Sequence, residues 1–146
     1  MIVLRLYVMS TQPDTKIVIV VRADLPVWQK LNLTAFLSSG IANTAPESVG
    51  EAYQDADGTK YTPMFGQPVL VFAADAHELS RTLDRALSRG IVPAIYTEEL
   101  FATGNDVDNR AAVAAIARAD LNLVGIALRA QRRDVDKVTK GLSLHR

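Results

Sequence analysis

The run Lys16-Ile17-Val18-Ile19-Val20-Val21-Arg22 constrains this chain more than any other feature. Its five central residues are all β-branched and apolar, with no polar residue between them. A strand with one wet face alternates apolar and polar side chains. A continuous run marks a strand buried on both faces, so structure must cover both sides of its sheet. That requirement selects the α/β class, and the rest of the chain supplies the covering helices.

Asp24 follows the run and is placed to cap a helix, with Pro26 tolerated in its first turn. The helix is expected from Val27 to Ile41. Leu33, Leu37 and Ile41, at i, i+4 and i+8, form its core row, and Lys30, Thr34 and Ser38 form a separate polar row. Residues 44–67 break the pattern. Asp57-Gly58, between Gly50–Gln54 and Thr59–Thr62, signals a small inserted β-hairpin. Val69–Ala73 reads as a second buried strand. Asp75 with Glu78 makes a capping box for a helix carrying Leu79, Leu83 and Leu87, ended by Gly90. Ile91–Tyr96 is a third strand, and an Ala-rich helix containing Val113 and Ile116 starts at Asp106 or Asp108. Leu121–Leu128 is a fourth strand, and Arg132–Leu142 is a last helix. The expected fold is a three-layer α/β/α sandwich with a four-stranded mixed sheet and the inserted hairpin.

The chain has 146 residues and no cysteine. That length suits one domain, here residues 16–146, which needs no metal or disulfide to fold. The absence of cysteine excludes disulfides, thiolate nucleophiles and Cys-based metal sites, and fits a cytoplasmic, reducing location. Lys+Arg and Asp+Glu are both 16, so there is no basic excess of the kind that drives nucleic-acid binding. Residues 1–15 read as a flexible leader, with Met9 as an alternative start to Met1. Its apolar stretch is too short to span a bilayer, and no membrane association is expected.

Phosphate-loop, dinucleotide, zinc-protease and serine-hydrolase motifs are absent, and no cofactor is expected. His77 reads as a solvated residue in a helix's first turn, and His145 as part of a disordered tail. In open α/β sheets ligands bind outside the carboxyl ends of the parallel strands. Asp24 lies there after the first strand. Thr97, Glu98 and Glu99 follow the third, and Lys30 sits in the first turns of the intervening helix. A Lys30–carboxylate pair facing one crevice would orient a water or hold an anionic group.

Several blocks resemble the peptidyl-tRNA hydrolase II (Bit1) family. Lys16 to Leu25 is similar to its opening V-R-x-D-L strand. Gly66-Gln67-Pro68-Val69-Leu70-Val71 with Asp75–Leu79, Gly125-Ile126, and Val135-Asp136-Lys137-Val138-Thr139 with Leu142 and Leu144 match further blocks in order. Pro26–Asn32, the P-M-F-G-Q-P stretch, and Tyr96–Gly104 bring the chain nearest to a bacterial group of that superfamily, the domain of unknown function two thousand. The resemblance implies the fold, including an antiparallel last strand. It also implies candidate catalytic roles for Lys30, Glu98 and Thr103; with the strand-end residues, the expected ligand contacts are Asp24, Asn32, Thr34, Thr97 and Glu99. Against the hydrolases, the K-G-K-x-A-A-Q stretch is reduced to Lys30, with Thr34 in place of its glutamine, and the D-A-G loop becomes Thr97-Glu98-Glu99.

Three functions follow as expectations. The first is a protein that binds or acts on a small ligand in a crevice lined by Lys30, Glu98, Glu99 and Thr103. The second is a peptidyl-tRNA ester hydrolase. The third is a homodimeric interaction module using Tyr53, Tyr61, Met64 and Phe65. Weak or no tRNA binding is expected.

Overall fold

The computed structural model describes residues 14–146, so the expected leader lies outside the described residues except at its end, where Thr15 already belongs to β1. The elements are β1 (Thr15–Arg22), α1 (Val27–Thr44), β2 (Tyr53–Gln54), β3 (Lys60–Tyr61), β4 (Val69–Ala74), α2 (Ala76–Ser88), β5 (Ala94–Thr97), α3 (Asp106–Ala114), β6 (Leu123–Gln131), α4 (Arg132–Val138) and β7 (Ser143–Leu144).

The main sheet has five strands in the order β5-β6-β1-β4-β7. β1 and β4 pair in parallel, while β6 runs antiparallel to both β1 and β5. β1, β4 and β5 therefore share one direction, each preceding a helix, and β6 opposes them. The expected four-stranded sheet is corrected to five. Gly141, at φ +90°, turns the chain after α4, so Ser143-Leu144 returns as a strand beside Phe72 and Ala73 of β4. The helix expected to reach Leu142 stops at Val138.

β1 is buried from Ile17 to Val21, as a two-faced strand must be. Ile17, Ile19 and Val21 pack with Leu33, Leu37 and Ile41 of α1, and with Tyr96, Val124 and Ala127. Val18 and Val20 face the other side, with Leu79 and Leu83 of α2 and Val135 and Val138 of α4. Gly125 of β6 lets α1 lie close to the sheet: a Cβ there would stand 2.6 Å from Leu33 Cδ1 and 3.0 Å from Leu37 Cδ1.

Other boundaries shift for local reasons. Asp24 is not the cap of α1. Pro26 occupies that position without a side-chain bond, and Asp24 instead meets Arg22 Nε at 2.7 Å. The Asp75–Glu78 capping box forms in both directions. The third strand starts at Ala94 rather than Ile91, beyond Pro93, which has no N–H to donate to a ladder. Asn105 caps α3 by accepting from the Asp108 N–H at 2.8 Å, and Ile116 lies past that helix's end. The hairpin ladder is shorter than expected, with only Tyr53↔Tyr61 and Gln54↔Lys60 paired. Among the described residues, no helix is long and apolar enough to cross a membrane.

Candidate functional site

α1 buries the row Leu33, Leu37, Ile41, and this leaves two flanks. At about 100° per residue, Trp28, Asn32 and Phe36 climb one flank, and Val27, Lys30, Leu31 and Thr34 climb the other. Each flank borders a hollow of different chemistry.

The first flank faces β5, the turn Glu98–Ala102 and the start of α3. A cavity of about 390 Å³ is lined by Trp28, Asn32, Phe36, Tyr96, Leu100, Phe101, Thr103 and the segment Gly104–Asp106 with Asn109. An adjoining hollow of about 520 Å³ shares Phe36, Tyr96, Leu100, Asp106 and Asn109, and continues along Arg110, Val113 and Ala114. The walls are aromatic. Trp28 meets Phe101 edge-on at 5.7 Å, Phe101 lies 5.0 Å from Tyr96, and Phe36 lies 5.7 Å from Tyr96. These contacts hold Trp28 and Phe36 in place although they are 59% and 52% exposed. Burial raises the Tyr96 phenol above its ordinary value, so it stays a neutral donor at pH 7. Its hydroxyl lies 3.4 Å from Asn32 Oδ1. The Thr103 hydroxyl bonds the Asn109 carboxamide and the Leu100 carbonyl. Asp106 pairs with Arg110 one turn along α3, so the cleft's one carboxylate is already partnered.

The second flank borders a hollow of about 370 Å³ lined by Val21, Val27, Lys30, Leu31, Thr34, Val71 and His145. Lys30 Nζ lies 3.0 Å from His145 Nε2. His145 is not a disordered tail residue: its N–H donates to the Val71 carbonyl at 2.9 Å, extending the β7 pairing. The Thr34 hydroxyl turns back to the Lys30 carbonyl at 2.6 Å.

The expected single crevice is therefore divided. Asn32 and Thr103 line the aromatic cleft, whereas Lys30 and Thr34 line the other hollow. Among the described residues no ion pair joins Lys30 to Glu98 or Glu99. Glu98 accepts from Asn122 Nδ2 at 2.6 Å and lies 3.7 Å from Arg22 Nη1, which ties the turn to β1 and to the residue that leads into β6. Asp24 and Arg22 border a further hollow at the ends of β1 and β4. Glu99 is exposed. Thr97 is buried, and its hydroxyl has no partner among the described residues. No group of three or more His, Asp or Glu suited to a metal ion occurs among the described residues.

Trp28, Phe36, Phe101 and Asn109 escaped the sequence reading. The spacing Trp28-Asn32-Phe36 was the available signal, since large aromatics on a flank outside the core row need another surface to lie against.

A family of proteins described as "protein of unknown function (DUF2000)" matches residues 15–146. The chain belongs to the DUF2000 family. A solved structure from Agrobacterium tumefaciens, titled a protein of unknown function, matches this DUF2000 chain with a TM-score of 0.90 at 47% identity. The match covers 92% of this chain and 100% of that one. No curated protein matches.

Proposed function

We propose that this DUF2000 protein binds a small, uncharged, partly planar ligand in the aromatic cleft between α1 and the β5–α3 segment. The observation that carries the reading is the convergence of two half-exposed aromatics, Trp28 and Phe36, with the polar groups of Asn32, Thr103 and Asn109 around one concavity. Small-molecule sites are concave and mostly apolar, with a few polar groups that fix orientation. The smaller hollow has no basic residue on its lining, which disfavours anionic ligands. A flat ring with an amide-like edge would lie against the aromatics and exchange hydrogen bonds with the carboxamides.

Trp28 is the protein's one tryptophan, so its emission reports directly on the cleft. A panel of neutral heteroaromatic amides and nucleobases should include members that quench or blue-shift Trp28 emission, and Asn109→Ala or Phe36→Ala should weaken them about tenfold, the loss of one well-made contact. A panel in which no member changes the emission or the amide resonances of Thr103 and Asn109 refutes the reading.

The same charge argument supports weak or absent tRNA binding. Holding tRNA requires several Lys or Arg contacts to phosphates, and the segment around this cleft carries Glu98, Glu99, Asp106 and Asp108 against Arg110. In filter binding at about 150 mM salt, tRNA should be retained no better than nonspecific complexes are, at about 10⁻⁴–10⁻⁶ M. Submicromolar retention would restore the hydrolase reading.

A further inference from the structure

We infer that the aromatic cleft is polarised across its width, its α1 wall donating hydrogen bonds and its α3 wall accepting them, so that it selects a flat, neutral ring with a carbonyl on one edge and an N–H on the opposite edge. The inference rests on the reading of this cleft as a ligand site and assigns that site a ligand class.

The α3 wall is decided by counting hydrogens. The Leu100 carbonyl, at 3.0 Å, and Asn109 Oδ1 both stand against the Thr103 hydroxyl. A hydroxyl has one hydrogen and cannot donate to both. Turning the Asn109 carboxamide over exchanges its oxygen and nitrogen and satisfies every group: Nδ2–H donates to Thr103, and Thr103 donates to Leu100. Asn109 Oδ1 then has no partner among the described residues and opens on the cavity that Asn109 lines. Asp106, about one turn before it, adds a second acceptor, since its ion pair with Arg110 engages Oδ2 and leaves Oδ1. Asn105 adds nothing, because its oxygen takes the Asp108 N–H and its nitrogen gives to the Asp108 carboxylate.

The α1 wall is the reverse. Among the described residues the Tyr96 O–H has one acceptor, Asn32 Oδ1 at 3.4 Å. With its oxygen so engaged, Asn32 presents Nδ2–H, which has no protein acceptor. Trp28, one turn earlier on the same flank, adds an indole N–H, which can only donate. One wall thus holds N–H groups without acceptors, and the other holds oxygens without donors. A ring with a carbonyl alone leaves Asn109 and Asp106 facing an unmatched edge. A ring with an N–H alone leaves Asn32 and Trp28 so placed. Each unmatched group loses its water without gaining a partner, and that loss is the source of the selection.

Three bicyclic probes separate the two walls: 4-quinolone, with its N–H and carbonyl across one ring; chromone, the same shape with a ring oxygen in place of the N–H; and indole, with an N–H and no carbonyl. Titrated into the full chain and followed at the Thr103 and Asn109 amide resonances, 4-quinolone should bind about tenfold more tightly than chromone or indole. Asn109→Leu should reduce the preference over chromone, and Asn32→Leu the preference over indole. Thr103 is a positioning residue, acting through Asn109, so Thr103→Val should also reduce the preference over chromone. In the ligand-free protein the same variant should move one Asn109 side-chain N–H proton upfield, as its bond to the hydroxyl is lost. Thr103 and Asn109 are half-buried and Asn32 is exposed, so amide spectra unchanged away from the cleft should accompany all three variants. An Asn109 side-chain N–H unmoved by Thr103→Val would overturn the assignment without any ligand. Equal binding of 4-quinolone and chromone, or binding by other flat neutral rings and by none of these three, would overturn the inference and leave the ligand site standing. Silence from every ring would overturn both.

Discussion

The two flanks of α1 belong to one helix, seated by one row of leucine and isoleucine, yet they present unlike surfaces. One offers aromatic rings and carboxamides and is completed by residues 96–109. The other offers a lysine among valines and is completed by the C-terminal return through His145. The difference teaches that the core row does more than hold the helix down. By fixing the rotation of α1 it decides which side chains meet the β5–α3 segment and which meet β4. A small roll of the helix would alter both hollows together, whereas a change on one flank should leave the other alone.

The severest way to break this arrangement is Leu33→Ala. Leu33 is fully buried against β1 and β6, and its truncation should cost about 2–5 kcal/mol in urea unfolding. Because the seat of the helix is shared, Trp28 emission and the Leu31 methyl shifts should change together. A variant that moved only one reporter would show the flanks to be independently supported.

Gly125→Ala approaches the same seat from the sheet side. The new methyl would collide with Leu33 and Leu37. Both are buried, so they cannot swing clear without disturbing the packing. Overpacking of this kind should cost about 1–3 kcal/mol, seen as a lower thermal midpoint, again with both reporters displaced. Unchanged stability would mean that α1 slides without resistance.

The smallest effect sharpens the comparison by leaving both flanks untouched. In the hairpin, the Tyr61 hydroxyl donates to Asp55 Oδ2 at 2.7 Å, and this bond first, then those from the Thr59 and Asp57 N–H groups, holds the Asp55 carboxyl below its ordinary value, against a small opposing effect of burial. A carboxylate with a depressed folded value stabilises the fold above its unfolded value, and that contribution disappears as pH falls through the folded one. Tyr61→Phe should therefore raise the Asp55 value in a carbon-detected titration and slightly reduce stability above about pH 4, without moving Trp28 or Leu31. An unmoved Asp55 would show that the backbone donors alone set it.

Much of the fold was legible because its signals are local. The unbroken β-branched run at Ile17–Val21, the apolar row of α1, and the reciprocal Asp75–Glu78 cap each depend on residues within a turn or two of one another. What was missed depends on partners far along the chain. Asp24 resembles a cap, but Arg22 competes for its carboxylate. His145 has no local reason to be ordered, and only the main chain of β4 gives it one. Lys30 and Glu98 leave the same end of the sheet, which made a shared crevice plausible. The side chains then diverge, because Glu98 is drawn to Asn122 and Arg22, while the helix rotates Lys30 toward Val71. The spacing Trp28-Asn32-Phe36 signals a further surface on the aromatic flank, but not which one, since Trp28 and Phe36 find Phe101 and Tyr96 only once β5 has joined the sheet.

The returning strand has a consequence beyond the hollow it closes. β4 is six residues long, but β7 pairs with it only at Phe72 and Ala73, with one further bond from the His145 N–H to the Val71 carbonyl. The outer main-chain groups of Val69 and Leu70 have no strand beside them among the described residues. An apolar strand with an open edge is a template on which another chain can lay itself down. Fraying of Ser143-Leu144 would expose Val69-Leu70-Val71-Phe72 as one continuous adhesive strip, so the protein's resistance to aggregation at high concentration should follow the fraction of molecules in which that two-residue ladder is shut, measurable as light scattering against hydrogen exchange at Leu144.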